Sequence, residues 1–196
     1  MSLLRTLASA CAYLLTRPAV IHYRLAARLT NPDTALRNAS EALARIPGTR
    51  GVWLRRAFYR SVLPHVGDRS HIGFMTLLSK ADARIGTAVY LGRFCTLGRV
   101  TIENHAIIAD AVQLLSGSHQ HQPANPNQPF QQAPQTFQHI TISTGAWIGA
   151  NAVVMADVGP NAIVAAGAVV TKPVPANTTV AGVPAKPLQT QPRLAA

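Results

Sequence analysis

The chain has 196 residues, 48% of them hydrophobic and 13% charged, with a formal net charge of +11. That length suits one core-forming domain with a small appendage, and the composition excludes a disordered or highly solvated chain. Two cysteines, Cys11 and Cys95, exclude a disulfide framework and point to a reduced, cytoplasmic compartment, and no apolar run approaches the roughly 18 residues needed to cross a bilayer.

The charge is uneven. Residues 1–70 hold eleven Arg and no Lys against Asp33, Glu41 and Asp68, whereas residues 71–196 hold seven Lys or Arg against Asp82, Glu103, Asp110 and Asp157. No nucleic-acid motif accompanies the basic third, so a peripheral membrane surface contacted through residues 1–60, or a plain solvated helical face, fits better than nucleic acid, which is left out of the reading.

Residues 1–63 read as an amphipathic helical segment. Leu3, Leu4, Leu7, Ala8, Cys11, Leu14 and Leu15 share one helical face, and Pro18 is expected to end or kink that helix. Ile21, Leu25 and Leu29 follow with Arg24 and Arg28 beside them. Asn31-Pro32-Asp33 is a start signature for a helix reaching about Arg45, with Leu36, Ala39, Leu43 and Ile46 inward. A last helix is expected from Val52 to Leu63.

From about Pro64 to Leu188 an aliphatic residue recurs at every sixth position: Ile72, Leu78, Ile85 (one late), Leu91, Leu97, Ile102 (one early), Ile108 and Leu114. After a gap it resumes at Ile142, Ile148, Val154, Val164 and Val170. A period of six belongs neither to a helix nor to an ordinary strand; it is the repeat of a parallel β-helix, an all-β solenoid. Thr96, Ala106, Val112, Ala152, Ala162 and Ala168 are expected to fill the remaining inward sites. The basic helical front is read as covering the open end of this solenoid, as docking to membrane, or as both. Residues 189–196 read as a loose tail.

The gap is the chemically informative stretch. Residues 115–139 hold four prolines, seven glutamines and two asparagines, and cannot continue a strand ladder. A long loop inside a compact solenoid is a functional signal, and this one begins with Ser116-Gly117-Ser118-His119.

With the loop root SGSHQH (116–121), the block ITISTGAWIGANAVVMADV (140–158) and the ending VAAGAVVTKPVPANTTVAGVPAKPL (164–188), residues 85–186 resemble the hexapeptide-repeat acyltransferases, in particular their sugar O-acetyltransferase branch of maltose and galactoside acetyltransferases and exopolysaccharide-cluster enzymes. The resemblance implies a left-handed β-helix, a homotrimer with active sites between subunits, and acetyl-CoA as co-substrate without a metal. It implies His119 as general base. It assigns the backbone at Ala150 to the thioester, that at Ala166 to the pantetheine arm, Thr171 and Lys172 to the coenzyme phosphates, and Lys186 to the adenosine 3′-phosphate. The expected acceptor is a saccharide of exopolysaccharide or surface polysaccharide synthesis, lipid-linked in one version, which would put the enzyme in the cytoplasm or against the inner face of the membrane.

One departure touches the acceptor: galactoside-type enzymes carry an Asn near the position of Phe94-Cys95-Thr96, and none stands here. N-acylation of an amino sugar, serine acetylation, and a non-catalytic scaffold or sugar-binding module are the rival readings. His121 and His139 receive no assigned role.

Overall fold

The structure, a computed structural model, describes residues 3–118, 120–121 and 129–188, with side chains from residue 8 onward. Three helices, α1 (Leu3–Leu29), α2 (Pro32–Ala44) and α3 (Gly48–Val62), precede a left-handed parallel β-helix of about six turns. Each turn carries two- or three-residue strands on three walls. The first wall stacks His65–Val66, Arg84–Ile85, Val100–Ile102 and Ile140–Ile142, and single bridges at Val158 and Val174 continue it. The second stacks His71–Ile72, Tyr90–Leu91, Ile107–Ile108, Trp147–Ile148, Ile163–Val164 and Thr179–Ala181, and the antiparallel Lys186–Pro187 closes it. The third stacks Leu77–Leu78, Thr96–Leu97, Gln113–Leu114, Val153–Val154 and Val169–Val170.

In-register pairing explains the hexad. Ile72 lies over Leu91 and Ile108, Leu78 over Leu97 and Leu114, so each aliphatic residue meets its own kind in the next turn. Every member of the periodic series from Ile72 to Val170 is at most 1% exposed. Val66, Val158, Val174 and Val180 complete the column. Of the expected small fillers, Ala106, Val112, Ala152, Ala162 and Ala168 are buried; at the remaining corner Cys95 is the inward residue and Thr96 is only half-buried.

Two of the three edges of this prism are uniform. At the first-to-second and second-to-third edges one residue per corner takes a left-handed backbone, such as Arg69 (φ 59), Met75 (φ 58), Ala88 (φ 55) and Phe94 (φ 57). All irregular spacing falls on the third-to-first edge: the extra residue between Leu78 and Ile85, the missing one between Leu97 and Ile102, the whole of 115–139, and the four-residue steps from Val154 to Val158 and from Val170 to Val174. An insertion there leaves the in-register pairing of both neighbouring turns intact, which is why the repeat resumes in phase.

The front segment departs from expectation. α1 runs unbroken through Pro18. A proline at that position deprives the Leu14 carbonyl of its helical donor, but Leu14 is exposed, so water can serve that carbonyl. The inward face of α1 is Ala12, Thr16, Val20 and Tyr23, while Leu14, Leu15, Ile21, Leu25 and Leu29 are 54–85% exposed. Cys11 also faces solvent, and Leu3, Leu4 and Leu7 belong to the residues whose side chains lie outside the described ones. Asn31 does cap α2, its Oδ1 accepting from the Thr34 amide at 2.8 Å. α3 begins at Gly48, four residues before the expected Val52.

α2 and α3 cover the first turn by supplying the hydrogen-bond partners that a preceding turn would have given. Arg55 Nε donates to the Ile72 carbonyl (3.0 Å), Ser40 Oγ accepts from the Leu78 amide (2.9 Å), the Ala44 carbonyl accepts from the Met75 amide (3.0 Å), and Asp33 Oδ1 accepts from the Ala81 amide (2.9 Å). Unpaired solenoid ends invite edge-to-edge association, and these groups remove that template.

Candidate active site

The corners of the second-to-third edge stack Arg93, Asp110, Ala150, Ala166 and Gly182 one above another. Two corner amides in earlier turns are taken by a side chain of the next turn: Arg93 N–H by Asp110 Oδ1 and Thr87 N–H by Asn104 Oδ1, each at 2.8 Å. Above Ala150 the next turn offers only the Ala166 methyl, and above Ala166 only Gly182. These two amides therefore meet no side-chain acceptor, and the edge there is a narrow shelf of bare N–H donors. The close stacking requires Gly149, since a Cβ on it would lie 2.5 Å from the Ala166 nitrogen. Ala150 is half-buried and Ala166 exposed.

The long loop springs from the third-to-first edge, a different edge of the same prism. Its root is held on both legs. Ser116 Oγ accepts from the Arg99 amide (2.8 Å), and the Ser116 carbonyl accepts from Gln138 N–H (3.0 Å). The Gln120 carbonyl accepts from Thr136 N–H (3.1 Å), and His121 bridges Gln135 in antiparallel fashion. Gly117 takes φ +83, and a Cβ there would lie 2.7 Å from that of Gln138. His119 itself lies outside the described residues. On the returning leg Phe137 sits under Lys80, whose Nζ is 3.4 Å from the ring centroid, and its carbonyl accepts from Arg99 Nη1 (3.2 Å). His139 Nε2 lies 2.8 Å from Thr101 Oγ1, which explains that histidine as part of the loop's return.

Thr171 and Lys172 are exposed on the loop-bearing edge, two turns beyond the root, and Lys186 is exposed in the terminal antiparallel strand. Within one chain the structure therefore groups Ala150 with Ala166, and Thr171 and Lys172 with the loop root, but it does not bring the two groups to one edge.

Beside the bare-amide edge, the outer face of the second wall is apolar. Tyr90, Ile107 and Trp147 stack in register at 43%, 47% and 50% exposure, and His71 stacks on Tyr90 at 4.8 Å between centroids. Burial, and next the charge of Arg55, pull the His71 imidazole below its usual pKa. Cys95 is no rival nucleophile: it is buried, and burial pushes its thiol up. Among the described residues no three His, Cys, Asp or Glu side chains converge on a metal position. Sequence reasoning does not find the arginines gathered beside His71; the basic front third was the only available signal.

No family model matches the chain. A 2,3,4,5-tetrahydropyridine-2,6-dicarboxylate N-acetyltransferase of Staphylococcus aureus is 53% identical over 55 residues, 27% of this chain and 23% of that protein. A Schizosaccharomyces pombe protein described as an acetyltransferase is 33% identical over 107 residues, 52% of this chain and 48% of that one. The chain thus spans less than half the length of these curated relatives. Among solved structures, a hexapeptide-repeat acetyltransferase of Vibrio cholerae complexed with acetyl-CoA superposes with a TM-score of 0.67 at 25% identity, over 80% of this chain and 87% of that one. A galactoside acetyltransferase in complex with coenzyme A gives 0.67 at 24% identity, over 80% and 81%. A maltose O-acetyltransferase of Clostridium difficile gives 0.68 at 19% identity, over 80% and 86%, a likeness of fold. The chain has the hexapeptide-repeat acetyltransferase fold, its neighbours in that fold bind acetyl-CoA or coenzyme A, and its sequence relatives support an acyltransferase.

Proposed function

We propose that the chain is an acetyl-CoA-dependent O-acetyltransferase working as a homotrimer on a saccharide hydroxyl, in the synthesis of a surface polysaccharide or exopolysaccharide. The observation that carries the reading is the split between a bare-amide edge and a loop-bearing edge on one prism. Two copies packed side by side would face the Ala150–Ala166 shelf of one with the loop root, Thr171 and Lys172 of the other. The apolar ladder of Tyr90, Ile107 and Trp147 supports such packing, because exposed contiguous apolar surface marks an interface.

In this arrangement the His119 imidazole removes the acceptor hydroxyl proton as the oxygen attacks the thioester carbon. The oxyanion of the tetrahedral intermediate accepts a hydrogen bond from the Ala150 amide. The C–S bond then breaks, the imidazolium returns its proton to the departing sulfur, and the products are the acetyl ester and free coenzyme A. Pantetheine lies along Ala166, and Thr171, Lys172 and Lys186 meet the coenzyme phosphates.

Thiol release from acetyl-CoA, followed with a panel of saccharides, tests this. Sugar-dependent release that falls about 10²–10⁴-fold in His119→Ala is the expected result. Unchanged turnover in the variant would remove His119 from the mechanism. The Staphylococcus aureus relatives favour one second reading, transfer to an amine, and amino-sugar acceptors in the same panel separate it.

Membrane contact is the finer part of the proposal. Arg17, Arg24 and Arg28 stand exposed beside Leu14, Leu15, Ile21, Leu25 and Leu29, and α1 contains no acidic residue. Such a face suits an anionic bilayer surface. Co-sedimentation with phosphatidylglycerol vesicles but not with neutral ones is expected; full recovery in the supernatant would rule out membrane contact through α1.

A further inference from the structure

A cleft of about 470 Å³ lies between the start of α3 and the foot of the second wall, lined by Trp53, Arg55, Arg56, Arg69, His71 and Arg93 among others. Four guanidinium groups border it and no carboxylate does. Arg93 is ion-paired, to Asp110 in the turn above at 2.6 Å. Arg56 reaches only a neutral hydroxyl, Ser9 Oγ at 3.4 Å, and Arg69 stands exposed on a left-handed corner.

Two further features mark the cleft as built for an anion. Arg55 is fully buried; its Nε and Nη1 donate to the carbonyls of Ile72, Leu43 and Ile46. Its Nη2 is the one buried side-chain nitrogen or oxygen among the described residues without a partner. A buried cationic donor left over in this way costs stability unless something pairs with it. Gly48 and Thr49, at the start of α3, also line the cleft, and Pro47 provides no side-chain cap, so the helix presents free amides and the positive end of its dipole there. His71, with its lowered pKa, is a neutral imidazole near pH 7 and can share a hydrogen bond with a hydroxyl.

The position gives the cleft meaning. Arg93 is the corner residue two turns below Ala150 on the bare-amide edge, a rise of roughly 10 Å at one strand spacing per turn. Arg56 and Arg69 border the same cleft as Arg93, so a ligand held there is within the span of a sugar and its phosphate of Ala150. We infer that this cleft holds a phosphate or diphosphate group of the acceptor, so that the substrate class is a phosphorylated saccharide. The inference rests on the O-acetyltransferase reading for the word acceptor; the anion site stands on the cleft alone.

The test separates the two. The full chain is titrated calorimetrically with inorganic pyrophosphate, with a nucleotide sugar and with coenzyme A, as wild type and as Arg56→Gln/Arg69→Gln. Pyrophosphate and nucleotide sugar are expected to lose about tenfold or more in affinity in the double variant, at unchanged coenzyme A affinity and unchanged thermal unfolding. Equal pyrophosphate binding by both proteins, or no binding by wild type, overturns the anion site. A loss confined to coenzyme A overturns it too, by making the cleft part of the donor site. Initial rates then compare a nucleotide sugar, a lipid-diphosphate sugar in detergent and the matching free sugar. Preference for either phosphorylated form supports the inference and says whether the source is soluble or lipid-linked. Equal kcat/KM for the free sugar overturns the acceptor assignment while leaving the O-acetyltransferase reading intact.

Discussion

The solenoid and the helices that cover its first turn are built on opposite plans. Inside the solenoid the column from Ile72 to Val170 is aliphatic throughout, and its strands are hydrogen-bonded to those of the turn above or below. Inside the helical cover the buried residues include Arg55, Ser40 and Thr16, while large aliphatics of α1 face outward. The difference follows from what each part must satisfy. A middle turn has a neighbour of identical geometry on both sides and needs only apolar filling. The first turn has none, so the cover must deliver polar groups to fixed points: a guanidinium to the Ile72 carbonyl, a hydroxyl to the Leu78 amide, a carboxylate to the Ala81 amide. Polarity in the cover thus compensates a missing turn.

The largest expected effect that would sharpen this comparison is at Arg55. Arg55→Leu keeps much of the volume but strands the carbonyls of Ile72, Leu43 and Ile46, each costing about 1–3 kcal/mol if left dry. Relief of the guanidinium's own desolvation offsets part of that. We expect a net loss of about 3 kcal/mol in urea unfolding, with hydrogen exchange rising first at α2, α3 and the first turn and least at the turns beyond Ile140. Repeat architectures unravel from an exposed end because each turn contacts only its neighbours. A variant as stable as wild type would show that the carbonyls find water and that the cover is ordinary apolar packing.

The same contrast explains what was legible beforehand. The solenoid repeats one local rule, so stepping by six exposed its core and its interruption, while His119 as the expected base rested on the family resemblance. Even the late Ile85 and early Ile102 were visible, although only the stacked turns reveal that such slips share one edge. The cover follows no repeat. Its inward face on α1 is Ala12, Thr16, Val20 and Tyr23, a weaker hydrophobic signal than Leu14, Leu15, Ile21 and Leu25, which face out; packing against α2 and α3 settled the matter, not propensity. Pro18 read as a break because its carbonyl partner's exposure is not written in the sequence. At the candidate site, Ala150 and Ala166 stood out by motif, yet their place on a different edge from Thr171 and Lys172 needed the turns assembled. The arginine cleft draws on residues from α3 and three separate corners or strands, which no linear spacing connects.

A smaller effect probes the cover through pH. Tyr59 is fully buried, 2.7 Å from Ser40 Oγ, which in turn holds the Leu78 amide. Burial pushes its phenol from 10.0 up to about 12, with the Ser40 hydrogen bond and the Arg55 charge opposing more weakly. A raised pKa in the folded state means that folding favours the neutral phenol. Its contribution is fully present below pH 10, where both states are protonated, and is lost as pH rises from 10 through about 12, because the unfolded chain ionises first. The shift of about two units corresponds to roughly 2–3 kcal/mol over that window. Tyr23, whose phenol is also raised by burial, adds to the loss in the same direction. Urea midpoints measured between pH 9 and 12 should therefore fall, and Tyr59→Phe should flatten most of that slope while leaving the midpoint near pH 8 only modestly lower. An equally steep alkaline slope in Tyr59→Phe would place the titrating group elsewhere, and the Tyr59–Ser40–Leu78 chain would then be a passive contact instead of the polar joint between cover and first turn.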